Sequence, residues 1–290
     1  MMSFTGQTQI YGIIGDPISH SLSPLMQNAA IAAAGLDACY LPFHVPSAQL
    51  GVAVEGLRAL GIDGFNVTLP HKQQILSRLD WVDENATLIG AVNTVVCRQR
   101  CLHGYNTDCS GFLRALREDL QFEPAGRNVL LFGAGGACRA ALVALLRSQA
   151  QNLWLVNRRL DKAQGLAQEF QELFPDQQIS AHSLQDTTYR QLLSQADLIV
   201  NTTSVGLRGE DLECCPLERV KAGTVVYDMV YTVVETAFVH RARRQGLSAA
   251  DGLNMLAAQG EDAFFLWHDI LAEKGLMKKS LHAWRRTHSH

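Results

Sequence analysis

The strongest constraint on how this chain folds is a run of six small residues. Gly133-Ala134-Gly135-Gly136-Ala137-Cys138 follows the apolar run NVLLF and opens the run CRAALVALL. A buried strand must therefore hand over to a helix through a turn almost free of side chains. A strand that is apolar at consecutive positions is covered on both faces, as in a parallel sheet with helices above and below. The same alternation recurs downstream: Asn128–Phe132, Leu153–Val156, Asp197–Asn201 and Thr224–Asp228 read as strands of one sheet. Helices run through Arg147 and from Asp161, and a long helical pattern from Gly252 to Glu273 closes the chain. In the first half, Gln9–Ile14, Tyr40–Val45 and Gly64–Thr68 read as strands separated by helical stretches at Pro24–Ala34 and Ser47–Leu60. Ala91–Cys97 and Cys101–Tyr105 form an expected hairpin, after which Cys109–Leu120 is helical. The fold class is read as α/β, in two α/β domains with a boundary near Asp108.

With 290 residues, 47% hydrophobic and 18% charged, the chain can bury a large core and is neither disordered nor membrane-spanning. Its longest apolar runs, such as Ala140–Leu146, stop far short of a bilayer. A net charge of −3 gives no field for long polyanions, so no nucleic-acid partner is expected, although a local phosphate site needs only a few residues. The start, MMSFTGQTQIYGIIGD, lacks a basic stretch followed by an apolar segment, and a cytoplasmic location is expected. Seven scattered cysteines read as reduced thiols. Cys97, Cys101, His103 and Cys109 crowd together without C-x-x-C spacing, so no metal site is expected. The terminal His-Ser-His reads as a frayed end.

The glycine turn has a chemical use. Gly133 permits the tight turn, Gly135 lets the backbone approach a pyrophosphate, and the helix start offers amide donors and a positive dipole. Cys138 takes the third small position of the fingerprint. The next strand ends at Asn157-Arg158-Arg159, where an NAD-binding fold places a carboxylate for the ribose hydroxyls. None stands there. Arg158, Arg159 and Lys162 can instead pair with a 2′-phosphate, so the cofactor is read as NADP. Cations at a helix start are unfavourable unless an anion joins them, which favours a ligand over a merely solvated helix start.

Other polar positions interrupt the apolar pattern. In NVTLPHK, Pro70 is expected at the first position of a helix and Lys72 in its first turn. The positive end of a helix is a poor place for a structural lysine and suits one that exchanges a proton. Asp108, in Asn106-Thr107-Asp108, reads as a helix N-cap, as a partner of Lys72, or both. Ser19, Ser21 and Ser23 alternate before Pro24. Ser23 fits an N-cap, and several hydroxyls at a helix start also make a neutral clamp for a carboxylate. Asn93 can cap a strand end or bind a substrate hydroxyl. Gln259 borders the buried stripe Leu256, Gly260, Ala263 and Trp267.

Taken in order, GDPISHSLSP, NVTLPHK, GAVNT, NTDCSGF, GAGGACRA, NRR, NTTSVGL, YDMVY and DGLNMLAAQG resemble the shikimate dehydrogenase family over nearly the whole chain. The resemblance implies a substrate-binding domain over 1–108, completed by C-terminal helices over 252–290, and a Rossmann-like NADP-binding domain over 109–251, with a cleft between them. It implies reversible NADPH-dependent reduction of 3-dehydroshikimate to shikimate, on the way to chorismate and the aromatic amino acids. Lys72 and Asp108 would be the catalytic pair. Ser21, Ser23, Thr68, Asn93, Tyr231 and Gln259 would bind substrate. Gly133, Ala134, Gly135, Gly136, Ala137, Asn157, Arg158, Arg159, Lys162, Met229 and Gly252 would contact the cofactor. The implied assembly is a monomer or homodimer. The chain departs from the family pattern at Arg159 and Lys162, at Thr232-Val233 after YDMVY, and at Ala237. These departures leave open a paralogue that also uses quinate or NAD. A non-catalytic dinucleotide-binding regulator on the same fold is the alternative of another class.

Overall fold

The computed structural model describes residues 4–288; Ser289 and His290 of the terminal His-Ser-His lie outside the described residues. The first segment builds β1 (Gln9–Gly15), α1 (Ser23–Ala33), β2 (Ala38–His44), α2 (Leu50–Leu60) and β3 (Gly64–Val67). It continues through β4 (Trp81–Val82), α3 (Glu84–Ile89), β5 (Thr94–Arg98) and β6 (Cys101–Tyr105). After α4 (Asp108–Leu120) come β7 (Asn128–Phe132), α5 (Gly136–Arg147), β8 (Asn152–Asn157), α6 (Leu160–Leu173), β9 (Gln178–Ser183) and α7 (Tyr189–Leu192). The order ends with β10 (Leu198–Asn201), β11 (Val225–Asp228), α8 (Ala237–Arg244), β12 (Ser248–Asp251), α9 (Leu253–His268) and α10 (Leu276–His288). The chain divides into two compact units: 4–111 with Leu256–Thr287, and Phe112–Met255.

In the first unit the sheet order is β2-β1-β3-β5-β6-β4. β1 lies parallel to β2 and β3, whereas β5 runs antiparallel to β3 and β6. One core layer joins Val54 and Leu57 of α2 to Phe65, Val67, Val95 and Leu102 of the sheet. The second unit is a wholly parallel sheet in the order β12-β11-β10-β7-β8-β9. This is a doubly wound sheet whose strand order reverses between β7 and β10. Its central strands are buried on both faces, which explains their unbroken apolar sequences.

Two expectations need correction. No α-helix follows Pro70: Lys72 lies in a turn that leads to a short 3-10 segment at Gln74–Arg78. The physical reason is that the Lys72 carbonyl accepts the amide of Val92 at 2.8 Å and so cannot enter a helical ladder. The helical pattern expected over Gly252–Glu273 ends early, at His268, because Asp269 turns to positive φ; α10 starts beyond it, after Gly275, also at positive φ. Among the described residues no helix is long and apolar enough to cross a membrane.

Candidate active site

In the first unit the polar positions gather where β1 and β3 end. Gly15 closes β1 at a very near approach: an added Cβ would stand 2.4 Å from Thr68 Cγ2 and 3.1 Å from the Leu69 carbonyl oxygen. Only glycine lets the end of β1 seat against the turn that carries Thr68 and Lys72. That turn is pinned by His71, fully buried, whose Nε2 lies 2.6 Å from the Val45 carbonyl oxygen. The chain after β1 leads through Ile18 to Ser21 and Ser23. Ser23 is not the N-cap: Leu22 holds that position, Ser23 is the first helical residue, and its amide donates to Ser21 Oγ at 3.3 Å. The tight Ile18–Ser21 turn has moved the helix start one residue earlier than capping by Ser23 requires.

Lys72 Nζ donates to Asp108 Oδ2 at 2.6 Å, with side chains only 17% and 7% exposed. The other oxygen, Oδ1, accepts from Asn93 Nδ2 at 2.8 Å. Asp108 is the first residue of α4 and not the one before it, so the capping expectation gives way to a carboxylate that faces Lys72 and Asn93. Asn106 Oδ1 accepts the Asp108 amide at 3.0 Å, while Asn106 Nδ2 donates to the Ala91 carbonyl.

Around this pair runs a buried polar network. Asn93 Oδ1 accepts the Thr107 amide at 2.8 Å, and Asn93 Nδ2 lies 3.0 Å from Thr107 Oγ1 and 3.4 Å from Gln259 Oε1. Gln259 Nε2 donates to the Leu256 carbonyl at 2.9 Å. Asn66 Nδ2 donates to the Asn93 carbonyl and to Thr94 Oγ1, both at 3.0 Å, and Tyr40 Oη donates to Asn66 Oδ1 at 2.7 Å. Satisfied networks of this kind fix rotamers and orient the groups at their edge. Sequence reasoning missed Asn66, Thr107 and Tyr40 as members. Asn66 and Thr107 carried a signal, because each is a polar residue inside a motif otherwise read for its neighbours.

In the second unit the glycine turn sits at the reversal of strand order. Gly133 has φ +123°, and a Cβ there would meet Thr202 Oγ1 at 2.4 Å. Gly135 is exposed, at the N-cap of α5, with nothing within 4 Å of an added Cβ. Open backbone in front of a helix start is what a pyrophosphate requires, so these residues fit a dinucleotide. Cys138 is fully buried and its thiol is pushed up to about 12 by desolvation, which makes it a packing residue rather than a nucleophile. Asn157 Nδ2 donates to the Arg159 carbonyl at 2.9 Å, holding the start of α6. Arg158, Arg159 and Lys162 are exposed there. Asp161, in the first turn of α6, offsets part of this charge, and a further anion beside the three cations would be stabilised.

Met229 and Gly252 meet in the same unit. The Gly252 amide donates to the Val230 carbonyl at 3.1 Å, and a Cβ at Gly252 would fall 2.3 Å from the Met229 carbonyl oxygen. Tyr231 lies two residues beyond Met229, in the loop between β11 and α8. Among the described residues no group of three His, Cys, Asp or Glu side chains could hold a metal ion.

A doubly wound unit with a dinucleotide-type glycine turn, joined in one chain to an α/β unit that presents a lysine–carboxylate pair, defines the nucleotide-dependent oxidoreductase class. A family model described as the shikimate dehydrogenase substrate binding domain matches residues 13–95, and one described as shikimate / quinate 5-dehydrogenase matches residues 116–229. A shikimate dehydrogenase (NADP(+)) of Geobacter sp. (strain M21) is 46% identical over 97% of this chain and 97% of its own. The crystal structure of shikimate dehydrogenase from Aquifex aeolicus superposes with a TM-score of 0.87 at 39% identity, covering 96% of this chain and 99% of that one. A Thermus thermophilus shikimate 5-dehydrogenase in complex with NADP(H) and shikimate gives a TM-score of 0.82 at 34% identity, covering 95% and 99%. The chain belongs to the shikimate dehydrogenase family.

Proposed function

We propose that this chain catalyses the reversible NADP-dependent reduction of 3-dehydroshikimate to shikimate, with Lys72 and Asp108 as the proton-transfer pair. The observation that carries this reading is the 2.6 Å contact between Lys72 Nζ and Asp108 Oδ2 at the edge of a satisfied buried network. The unit of 4–111 and Leu256–Thr287 is the substrate-binding unit, and Phe112–Met255 the NADP-binding one. When bound, NADPH supplies the hydride. Gly133, Ala134, Gly135, Gly136 and Ala137 would hold its pyrophosphate, Asn157, Arg158, Arg159 and Lys162 its 2′-phosphate end, and Met229 and Gly252 the remainder.

In the direction of reduction, the Lys72 ammonium gives a proton to the alkoxide that develops at C3, and Asp108 holds the ammonium in line. In reverse, neutral Lys72 takes the proton of the C3 hydroxyl. Ser21 and Ser23, at the start of α1, bind the substrate carboxylate. Thr68, Asn93, Gln259 and Tyr231 bind ring hydroxyls. The product feeds the route to chorismate and the aromatic amino acids, and the enzyme acts in the cytoplasm as a monomer or homodimer.

The test is K72A. Loss of a positioned acid–base group costs about a hundredfold to ten-thousandfold in kcat, with KM for shikimate changed far less. Near-normal turnover in K72A would reject the assignment. A second reading, use of quinate as well, is supported by the joint shikimate / quinate description of the family model over 116–229 and by Thr232, Val233 and Ala237. The kcat/KM values for shikimate and quinate, each with NADP and NAD, separate the two readings. Turnover with either substrate eliminates a purely regulatory role.

A further inference from the structure

Asp228 ends β11 immediately before Met229 and three residues before Tyr231, and it is fully buried. A carboxylate removed from water needs donors, and here all three are neutral. Oδ1 accepts from Asn201 Nδ2 at 2.8 Å and from the Val230 amide at 3.0 Å, and Oδ2 accepts from Thr236 Oγ1 at 2.8 Å. Each donor belongs to a different piece of chain. Asn201 ends β10, and its Oδ1 in turn accepts from the Thr203 amide at 3.0 Å and Thr203 Oγ1 at 2.7 Å. Val230 is in the bend between Met229 and Tyr231. Thr236 caps α8 by accepting the Val239 amide. One side chain thus ties together the loops that leave β10 and β11, at the strand ends where doubly wound sheets bind ligands.

The charged groups around Asp228 do not balance it. Asp251, its register partner on β12, has the same sign. Glu235 and Arg243 pair with each other, and Glu210 accepts the Gly206 amide. Burial and Asp251 push the Asp228 acid up to about 7. An asparagine would serve a purely structural tie without burying a charge. Its oxygen could accept from Asn201 and Val230, and its amide could donate to Thr236 once that hydroxyl turned. The charge therefore has a use other than stability.

We propose that Asp228 is a positioning residue, whose carboxylate accepts all three bonds at once and so sets the bend that presents Met229 and Tyr231. This rests on the reading that Met229 meets the cofactor and Tyr231 the substrate. Protonation turns Thr236 around, weakens its cap on α8 and loosens the bend.

The experiment compares D228N with wild type in four readouts: NADP+ binding by calorimetry from pH 6 to 8.5, amide exchange over 229–236, KM and kcat for shikimate, and thermal unfolding. Loss of one charge-assisted bond predicts about tenfold weaker NADP+ binding and higher KM at pH 8, with kcat within about threefold. Exchange over 229–236 quickens, while Tm at pH 8 equals or exceeds that of wild type. Wild-type binding weakens toward pH 6 until it meets the D228N value, and the difference between the two proteins isolates Asp228 from the titrating phosphate of NADP+. Wild-type binding, KM and exchange in D228N at pH 8, or an unchanged pH profile, overturns the proposal. Should D228N fail to fold, T236V and T236S decide. Weaker NADP+ binding in T236V that T236S restores supports the proposal, and wild-type binding in T236V overturns it. Binding and exchange require no turnover, so their outcome is separate from that of K72A.

Discussion

At the scale of single residues, Lys72 and Asp108 form a pair that water barely reaches, and such pairs persist only when further hydrogen bonds satisfy their remaining atoms. Asn93 supplies that second bond at 2.8 Å. D108N keeps the shape and removes the charge that holds the ammonium, so kcat should fall about a hundredfold, the lower end for general acid–base groups, with the fold intact by circular dichroism. Arg158 and Arg159 are exposed and test a different property. Each Arg→Ala change should weaken NADP+ by about tenfold, as expected for a charge-assisted bond to phosphate, and leave NAD+ binding nearly unchanged in paired calorimetric titrations. These cationic positions were legible in the sequence because a basic run took the place of an acid at a strand end. The surroundings of Lys72 were not: its carbonyl bonds to Val92, twenty residues onward, and nothing local to NVTLPHK announces that partner.

Among elements, the turn from β7 to α5 separates two uses of glycine. Gly133 is required by its positive φ and by contact with Thr202, so G133A should lower Tm and weaken NADP+ together. A Cβ added at Gly135 would meet nothing within 4 Å, so G135A should keep the wild-type Tm while NADP+ affinity drops. Thermal melts with and without NADP+ distinguish the two, and equal loss of Tm in both would contradict this account. Strands buried on both faces were readable from sequence as apolar runs. β4 is only two residues long and β12 is SAAD, so neither has the run or alternation that marks a strand, and β9 (QISAHS) is an edge strand whose short alternation rests on Ile179 and Ala181 alone. The pairing that makes them strands comes from neighbours distant in the chain.

Across the whole molecule, a half-buried histidine and a buried aspartate give stability opposite pH slopes. Desolvation among Tyr11, Phe264 and Trp267 holds His268 down at about 4, below its ordinary 6.5. Its contribution is complete above pH 6.5 and is lost as pH falls toward 4. Asp228 is raised from 3.8 to about 7, so its contribution is present below 3.8 and lost as pH rises through 7. Urea unfolding across pH 5 to 8 should therefore show H268F gaining on wild type toward pH 5, and D228N gaining toward pH 8. Gln259 lies 166 positions beyond Asn93 but packs within the same unit. A ribosome must therefore thread out the entire intervening unit before α9 can dock. Nascent chains arrested between Asp108 and Gln259 would display the lysine–aspartate pair with Asn93 and Thr107 lacking their Gln259 partner, so completion of that pocket is a late event of synthesis.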